Sequence, residues 1–216
     1  MIHQLAPGQP VLFVGPMRSG KSNLIAYLLG DLSSVVVFDS KRHPDEWSKW
    51  GPSRGYVVSG DPADILRHPK VIHQVSTMVL MDVAGWRRPG AQGYAWTEAL
   101  LNVMRRGRTV VVFDETVHTL PAGRPHPAAV QIYTQGAAWK ISPWAGSQFA
   151  NRIETMTVRA AVHAFAFRLN PQDLQLLAEK RGVPTEALGQ LQEYQFGYHL
   201  TNTPDWRVCQ PVEQVM

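Results

Sequence analysis

Three runs of consecutive apolar, largely β-branched residues stand out along this chain: Pro10-Val-Leu-Phe-Val14, Ser34-Val-Val-Val-Phe38 and Thr109-Val-Val-Val-Phe113. Each is too short for a helix and lacks a polar alternate face, so each predicts a strand buried on both sides. Val162-His-Ala-Phe-Ala-Phe167 alternates and predicts another strand. Val57-Val58 and Val71-Ile72 suggest short ones, Ala145-Gly-Ser-Gln148 the end of one, and residues 194–200 with 206–208 a closing pair. Val79-Leu-Met-Asp82 is open between strand and loop. Helical apolar spacing follows at residues 23–29 and at Trp96, Leu100, Val103 and Met104, stopping at Arg105-Arg106-Gly107. Residues 126–140 predict a helix, and Asn170-Pro171 caps one whose Leu174, Leu177 and Ala178 share a face before Gly182. Residues 42–70 read as loops with a short helix or two, and Trp86-Arg-Arg-Pro-Gly-Ala-Gln-Gly93 as a long exposed loop. Strands alternating with helices imply an α/β fold with a mostly parallel central sheet covered by helices on both faces. No linker divides the chain, so residues 1–216 are expected to form a single domain.

Composition adds bounds. The chain has 216 residues, 44% hydrophobic and 18% charged, a globular balance. The net charge is +4, and Arg outnumbers Lys 15 to 6, which permits a polyanionic partner without requiring one. A single cysteine, Cys209, excludes an intrachain disulfide and a cysteine zinc cluster. The start, Met-Ile-His-Gln-Leu-Ala-Pro-Gly, lacks the pattern of a signal peptide, and no apolar run would span a bilayer. A soluble intracellular protein is expected.

The most specific chemistry lies at Gly15-Pro-Met-Arg-Ser-Gly-Lys-Ser22, which fits G-x-x-x-x-G-K-[ST] between a predicted strand and a predicted helix. In such a loop Gly15 and Gly20 let the backbone approach phosphates, and the amides of Pro16, Met17, Arg18, Ser19 and the helix start at Asn23 surround them as far as each has an N–H. Lys21 is expected at the β- and γ-phosphates and the Ser22 hydroxyl on Mg²⁺. Arg18 occupies a variable position. The ligand class is therefore ATP or a related triphosphate with Mg²⁺.

The 109–113 strand ends in Asp114-Glu115, a Walker B pattern. Asp114 is assigned to Mg²⁺ and Glu115 to activation of the attacking water. That second carboxylate favours hydrolysis over phosphoryl transfer to a small metabolite. Arg105, Arg106 and Arg108 suggest a kinase lid, but they sit at a helix end, where cations complement the dipole.

The order of these features resembles the FtsK–HerA superfamily of DNA-translocating ATPases, and within it the genome-packaging ATPases of membrane-containing icosahedral viruses. The resemblance is carried by the Gly15–Ser22 loop, Phe-Asp39-Ser-Lys41, Phe-Asp114-Glu115, Ser147-Gln148-Phe-Ala-Asn-Arg152, and Phe165-Ala-Phe-Arg168-Leu-Asn-Pro-Gln-Asp173-Leu. The fourth stretch departs from the family pattern, having a proline and few β-branched residues. Gln135 competes with it for the sensor role but falls within a predicted helix. The resemblance implies a RecA/FtsK-like P-loop core, Gln148 as γ-phosphate sensor, and a homo-oligomeric ring, pentameric or hexameric, in which a neighbour supplies an arginine. Arg152 is the first candidate for that arginine, then Arg124 and Arg108. Asp39 and Lys41 would form an ion pair or coupling element. Double-stranded DNA would thread the ring, with the Trp86-Arg87-Arg88 loop as a candidate contact, and a capsid or portal-vertex protein would be a further partner. No small-molecule acceptor is expected. The implied location is the host cytoplasm or the packaging vertex of a virion. A cellular or plasmid DNA translocase would share the motifs, a relative of filamentous-phage assembly ATPases would carry a membrane segment, and a metabolic P-loop kinase is the alternative of a different class. His118 and His126 are too isolated to argue for metal, and the seven Trp residues read as core and interface.

Overall fold

The computed structural model describes residues 5–30, 32–201, 203 and 206–216. The expectation about the chain's first residues falls largely on 1–4, which lie outside the described residues.

Nine strands form one sheet: β1 Val11–Val14, β2 Val35–Asp39, β3 Val57–Ser59, β4 Lys70–Gln74, β5 Val110–Phe113, β6 Ser142–Ser147, β7 His163–Ala166, β8 Phe196–Leu200 and β9 Trp206–Cys209. Their spatial order is β3-β4-β2-β5-β6-β1-β7-β8-β9. The first seven are parallel, and β8 and β9 close one edge antiparallel. The apolar runs are continuous because the sheet is covered on both faces. Leu12, Val14, Val36, Phe38, Val111 and Phe113 pack under Trp96, Leu100 and Ile132 on one side. Val11, Phe13, Val35, Val37, Val112 and Trp144 pack under Leu24, Ile25 and Leu29 on the other. Alternate residues of one strand thus serve two cores, which removes any polar position from it.

Some elements differ from the sequence expectation. Thr77–Met81, which includes most of the ambiguous segment, is a short helix capped by the Ser76 hydroxyl. The segment after it is not an exposed loop throughout. Trp86 is buried in a 3-10 turn, its ring 4.3 Å from that of His126. The next helix begins at Gln92, because Gly93 can pass the Asp82 carbonyl, which an added Cβ would meet at 2.9 Å. The predicted 126–140 helix stops at Gln135 and tightens into a 3-10 turn to Trp139. Strand β6 is longer than expected and tolerates Pro143. Ser142 donates to Thr109 of the β5 side, and pairing with β1 begins only at Trp144, so position 143 needs no donor. Of the seven tryptophans, Trp47, Trp50, Trp86, Trp96 and Trp144 are buried. Among the described residues no helix is long and apolar enough to cross a membrane.

His126 has a structural role: its Nδ1 accepts from Ala128 N as the cap of Pro127–Gln135, and its Nε2 meets Thr97 Oγ1 at 3.1 Å. Burial pushes its imidazole down to about 4 from 6.5. Between those values the unfolded chain binds a proton that the folded chain refuses, so stability falls on acidification through pH 6.5 to 4 and levels off below. The loss from this group is about 3 kcal/mol. Urea melts across that range check it; His126→Asn, which keeps a capping oxygen, is expected to flatten the slope while costing packing at pH 7.

Candidate nucleotide site

The sequence-predicted site residues gather at the carboxyl end of the parallel strands, where open α/β sheets bind ligands. Strand β1 delivers Gly15, β5 delivers Asp114-Glu115, and β6 delivers Gln148. The order β5-β6-β1 places these three strands side by side. The resulting crevice is about 850 Å³ and is lined by Lys21, Ser22, Lys41, Glu115, Gln148 and Arg152, among others.

The loop is shaped for an anion. Gly20 adopts φ 93° and Arg18 φ 61°, left-handed positions that turn successive amides to one side. Gly15 has no room for a Cβ, which would meet Phe167 Cβ at 2.7 Å and Ser19 Oγ at 2.8 Å. Phe167, just past β7, therefore sets how closely the loop can pass. Pro16, Met17 and Arg18 are exposed at the mouth. Ser19 Oγ is buried without a partner. Helix Lys21–Leu29 starts inside the motif. Lys21 is 7% exposed and donates to Gly15 O at 2.7 Å and Pro16 O at 2.9 Å. Burial, reinforced by the charge of Lys41, lowers its ammonium to about 8.

Facing the loop, Ser22 Oγ donates to Asp114 Oδ1 at 3.1 Å. This hydroxyl and carboxylate are hard oxygen donors on one spot, the set Mg²⁺ takes alongside water and phosphate. Among the described residues no group of three His, Cys, Asp or Glu could hold a metal. Glu115 is buried, Gln148 Nε2 donates to its Oε2 at 3.0 Å, and its Oε1 has no partner. Burial raises the Glu115 carboxyl above its ordinary range, with Asp114 adding to the shift. Gln148 thus meets Glu115 directly, whereas Gln135 is exposed at a helix end.

The Asp39–Lys41 pairing is corrected. Lys41 Nζ instead binds Asp114 Oδ2 at 2.9 Å and lies 3.6 Å from Glu46. Burial alone would lower its ammonium, but Asp114 outweighs this and raises it. Asp39, fully buried, accepts from Arg42 N, and burial raises its carboxyl. The reason is geometric: alternation turns Asp39 to the sheet face that Val35 and Val37 share, and the chain leaves the strand after it.

Arg152 lines the crevice of its own chain and lies over the Phe149 ring at 4.5 Å. Its 3-10 turn, Ala150–Arg152, is tied to Asp173, whose Oδ1 accepts from Asn151 N at 3.0 Å and Oδ2 from Asn170 Nδ2 at 2.6 Å. Asp173→Ala would strand those donors. It is expected to cost about 2 kcal/mol in urea unfolding and to lower hydrolysis several-fold by loosening the Gln148–Arg152 segment. Arg124 is exposed in its loop, and Arg108 is exposed at the amino end of β5, away from the crevice. Arg106, near it, binds Ile65 O, Ser34 Oγ and Pro69 O, a structural role. Arg87 and Arg88 are exposed but lack the neighbouring Trp86 face.

Three contributors carried no readable signal for the site. Gly146 of β6 passes the Asp114 carbonyl, which a Cβ would meet at 2.7 Å, and so sets the spacing of β5 and β6 at the site. Ser40 Oγ and His118 Nδ1 meet at 2.9 Å on the rim.

No family profile matches the chain, and no curated protein matches it in sequence. Solved structures do match. The genome packaging NTPase B204 of Sulfolobus turreted icosahedral virus 2, in complex with sulfate, superposes with a TM-score of 0.77 at 19% identity, over 97% of this chain and 100% of that one. B204 of Sulfolobus turreted icosahedral virus, a DNA-packaging ATPase, gives 0.74 at 21% identity over 97% and 100%. VirB4 of Thermoanaerobacter pseudethanolicus gives 0.61 at 10% identity over 94% and 89%. The chain therefore has the fold of these proteins, and the P-loop α/β core expected from the sequence is borne out.

Proposed function

We propose that this chain is a Mg²⁺-dependent ATPase, a single P-loop domain that drives double-stranded DNA, as a viral genome-packaging motor does. The observation that carries the ATPase reading is the Glu115 carboxylate, held by Gln148 in the crevice that opens over the Gly15–Ser22 loop. The loop amides and Lys21 hold the phosphates, Lys21 exchanging the Gly15 and Pro16 carbonyls for phosphate oxygens. Ser22 and Asp114 would hold Mg²⁺, which when bound would neutralise phosphate charge. Glu115 accepts a proton from water as its oxygen attacks the γ-phosphorus, and Gln148 orients that water while donating to the phosphate. Charge developing on the leaving oxygen falls to Lys21 and the loop amides. Arg152, which lines the crevice, and exposed Arg124 are the candidates for the arginine that a ring neighbour supplies.

The DNA step is supported by the near end-to-end likeness to B204, a genome packaging NTPase also solved with AMP, AMPPCP and ATP-gammaS, and by the ordered sequence stretches from Asp39 to Asp173. A net charge of +4 with exposed Arg87 and Arg88 suits contacts to phosphates of any sequence. In this reading the ring works at a packaging vertex against a capsid or portal protein. ATPase assays with and without duplex DNA, across protein concentrations that permit ring assembly, test it. Salt-sensitive stimulation by DNA is expected. Its absence under every assembly condition removes the motor, and ATP loss that depends on a small acceptor replaces the reading with a kinase.

A further inference from the structure

Lys41 puts its ammonium on the carboxylate assigned to Mg²⁺. Strand β2 pairs with β5, Phe38 opposite Phe113, so the chain leaving β2 passes next to Asp114. Lys41 Nζ reaches Asp114 Oδ2 at 2.9 Å, while Ser22 Oγ donates to Oδ1 at 3.1 Å. Both carboxylate oxygens are thus engaged by groups of the chain itself. The Asp114 side chain is 1% exposed, so solvent and salt screen the pair little.

The backbone is held on both sides of Lys41. Ser40 Oγ meets His118 Nδ1 at 2.9 Å, and Arg42, at φ 54°, donates its N–H to Asp39 Oδ1 at 2.9 Å. The side chain has more freedom. It is 28% exposed, lines the crevice with Lys21, Glu115 and Gln148, and has a second carboxylate within reach, Glu46 Oε2 at 3.6 Å. A lysine carries its charge on a flexible four-carbon stem, so the ammonium can change partners while the turn stays in place. An ammonium and a divalent cation on one buried carboxylate repel each other strongly, because Coulomb interactions grow as the local dielectric falls. To take free Mg²⁺, Asp114 would have to give up the ammonium with no stronger partner on offer. A triphosphate changes that balance. Its γ-phosphate is a multiply charged acceptor in the same crevice, and ammonium–phosphate bonds are among the strong charge-assisted ones.

We infer that Lys41 makes metal binding at Asp114 conditional on the nucleotide: its ammonium guards the carboxylate against the free ion and passes to the γ-phosphate when a triphosphate enters with Mg²⁺. The inference rests on the ATPase reading and adds to it how metal and phosphate are admitted together. It separates the two lysines of the crevice. Lys21 leaves backbone carbonyls for phosphate, whereas Lys41 leaves a carboxylate, and only the second exchange frees a metal ligand.

Metal and nucleotide titrations of the full chain test this, with Mn²⁺ as a paramagnetic stand-in for Mg²⁺. Without nucleotide, Lys41→Met and Lys41→Gln are expected to bind Mn²⁺ about tenfold more tightly than the parent, or better. The glutamine can still donate to Asp114, and its melting curve confirms that the chain is folded. With Mg²⁺ present, both variants should bind ATPγS about tenfold more weakly than the parent and ADP no more weakly. Lys41→Arg, which keeps the charge, should restore the parent's behaviour in both assays. Unchanged Mn²⁺ affinity in the two neutral variants overturns the guard. Weaker Mn²⁺ binding overturns it too, by making Lys41 a group that orients Asp114. Equal losses for ATPγS and ADP overturn the passage to the γ-phosphate. These outcomes leave the ATPase reading standing, whereas binding of neither nucleotide by the parent removes that reading together with the inference.

Discussion

Replacing Glu115 by glutamine is expected to lower ATP turnover about 10²- to 10⁴-fold, the range for loss of a positioned general base, while ATP binding persists. The geometry survives the change. Gln148 Nε2, now 3.0 Å from Glu115 Oε2, can donate equally to the amide oxygen of a glutamine. What is lost is the group that accepts a proton. The Glu115 carboxyl is buried and its affinity for protons is raised, which suits a base but costs folding free energy. The neutral variant is therefore expected to melt at the same temperature as the parent or higher, a separation of activity from stability common at such sites. Phosphate release, ATPγS binding and thermal unfolding measured together check it, and turnover equal to the parent would eliminate Glu115 as the base.

Lys21→Met is expected to lower turnover about 10²- to 10³-fold or more, and here nucleotide affinity falls as well. The ammonium sits 7% exposed against two loop carbonyls, and burial with Lys41 nearby lowers it to about 8. A buried cation this unfavourable gains from a better partner, and in the proposed function phosphate is that partner. Methionine fills a similar volume without the charge, so the unliganded variant should fold as stably as the parent. Tripolyphosphate titration and unfolding curves check both halves. Retained affinity would mean that the loop amides alone hold the phosphates.

How legible was the site? Spacing and context single out Lys21, Ser22, Asp114 and Glu115, and the fold gathers them at one crevice, because a loop of this pattern and a strand-end carboxylate need fixed local chemistry. Gln148 was assigned through resemblance despite Pro143, and it lies in hydrogen bond with Glu115. Of the alternatives open for Asp39 and Lys41, the ion pair between the two does not form. The partner of Lys41, Asp114, lies 73 positions on, and nothing in the local pattern distinguishes a strand-end pair from a cross-sheet one. Basic and turn residues around Trp86 predict an exposed loop, yet His126 and the helix Gln92–Arg106 cover its ring. Asp173 was seen as a family mark, and its contact with the Arg152 turn appeared only in three dimensions.

The sequence by itself determined the elements whose cause is local: two-sided strands from unbroken apolar runs, helix ends from Asn170-Pro171 and Gly182, and the phosphate loop from its glycines and Lys21. Tertiary structure alone decided which strand lies beside which, and with that the side of β1 that holds the carboxylates. It also decided that Phe167 limits the approach at Gly15, that Gly146 spaces Asp114, and that Asn23 holds the 211–216 segment. Those contacts join residues up to 193 positions apart. They follow from sheet order and packing, which no local pattern of hydrophobic and polar positions encodes.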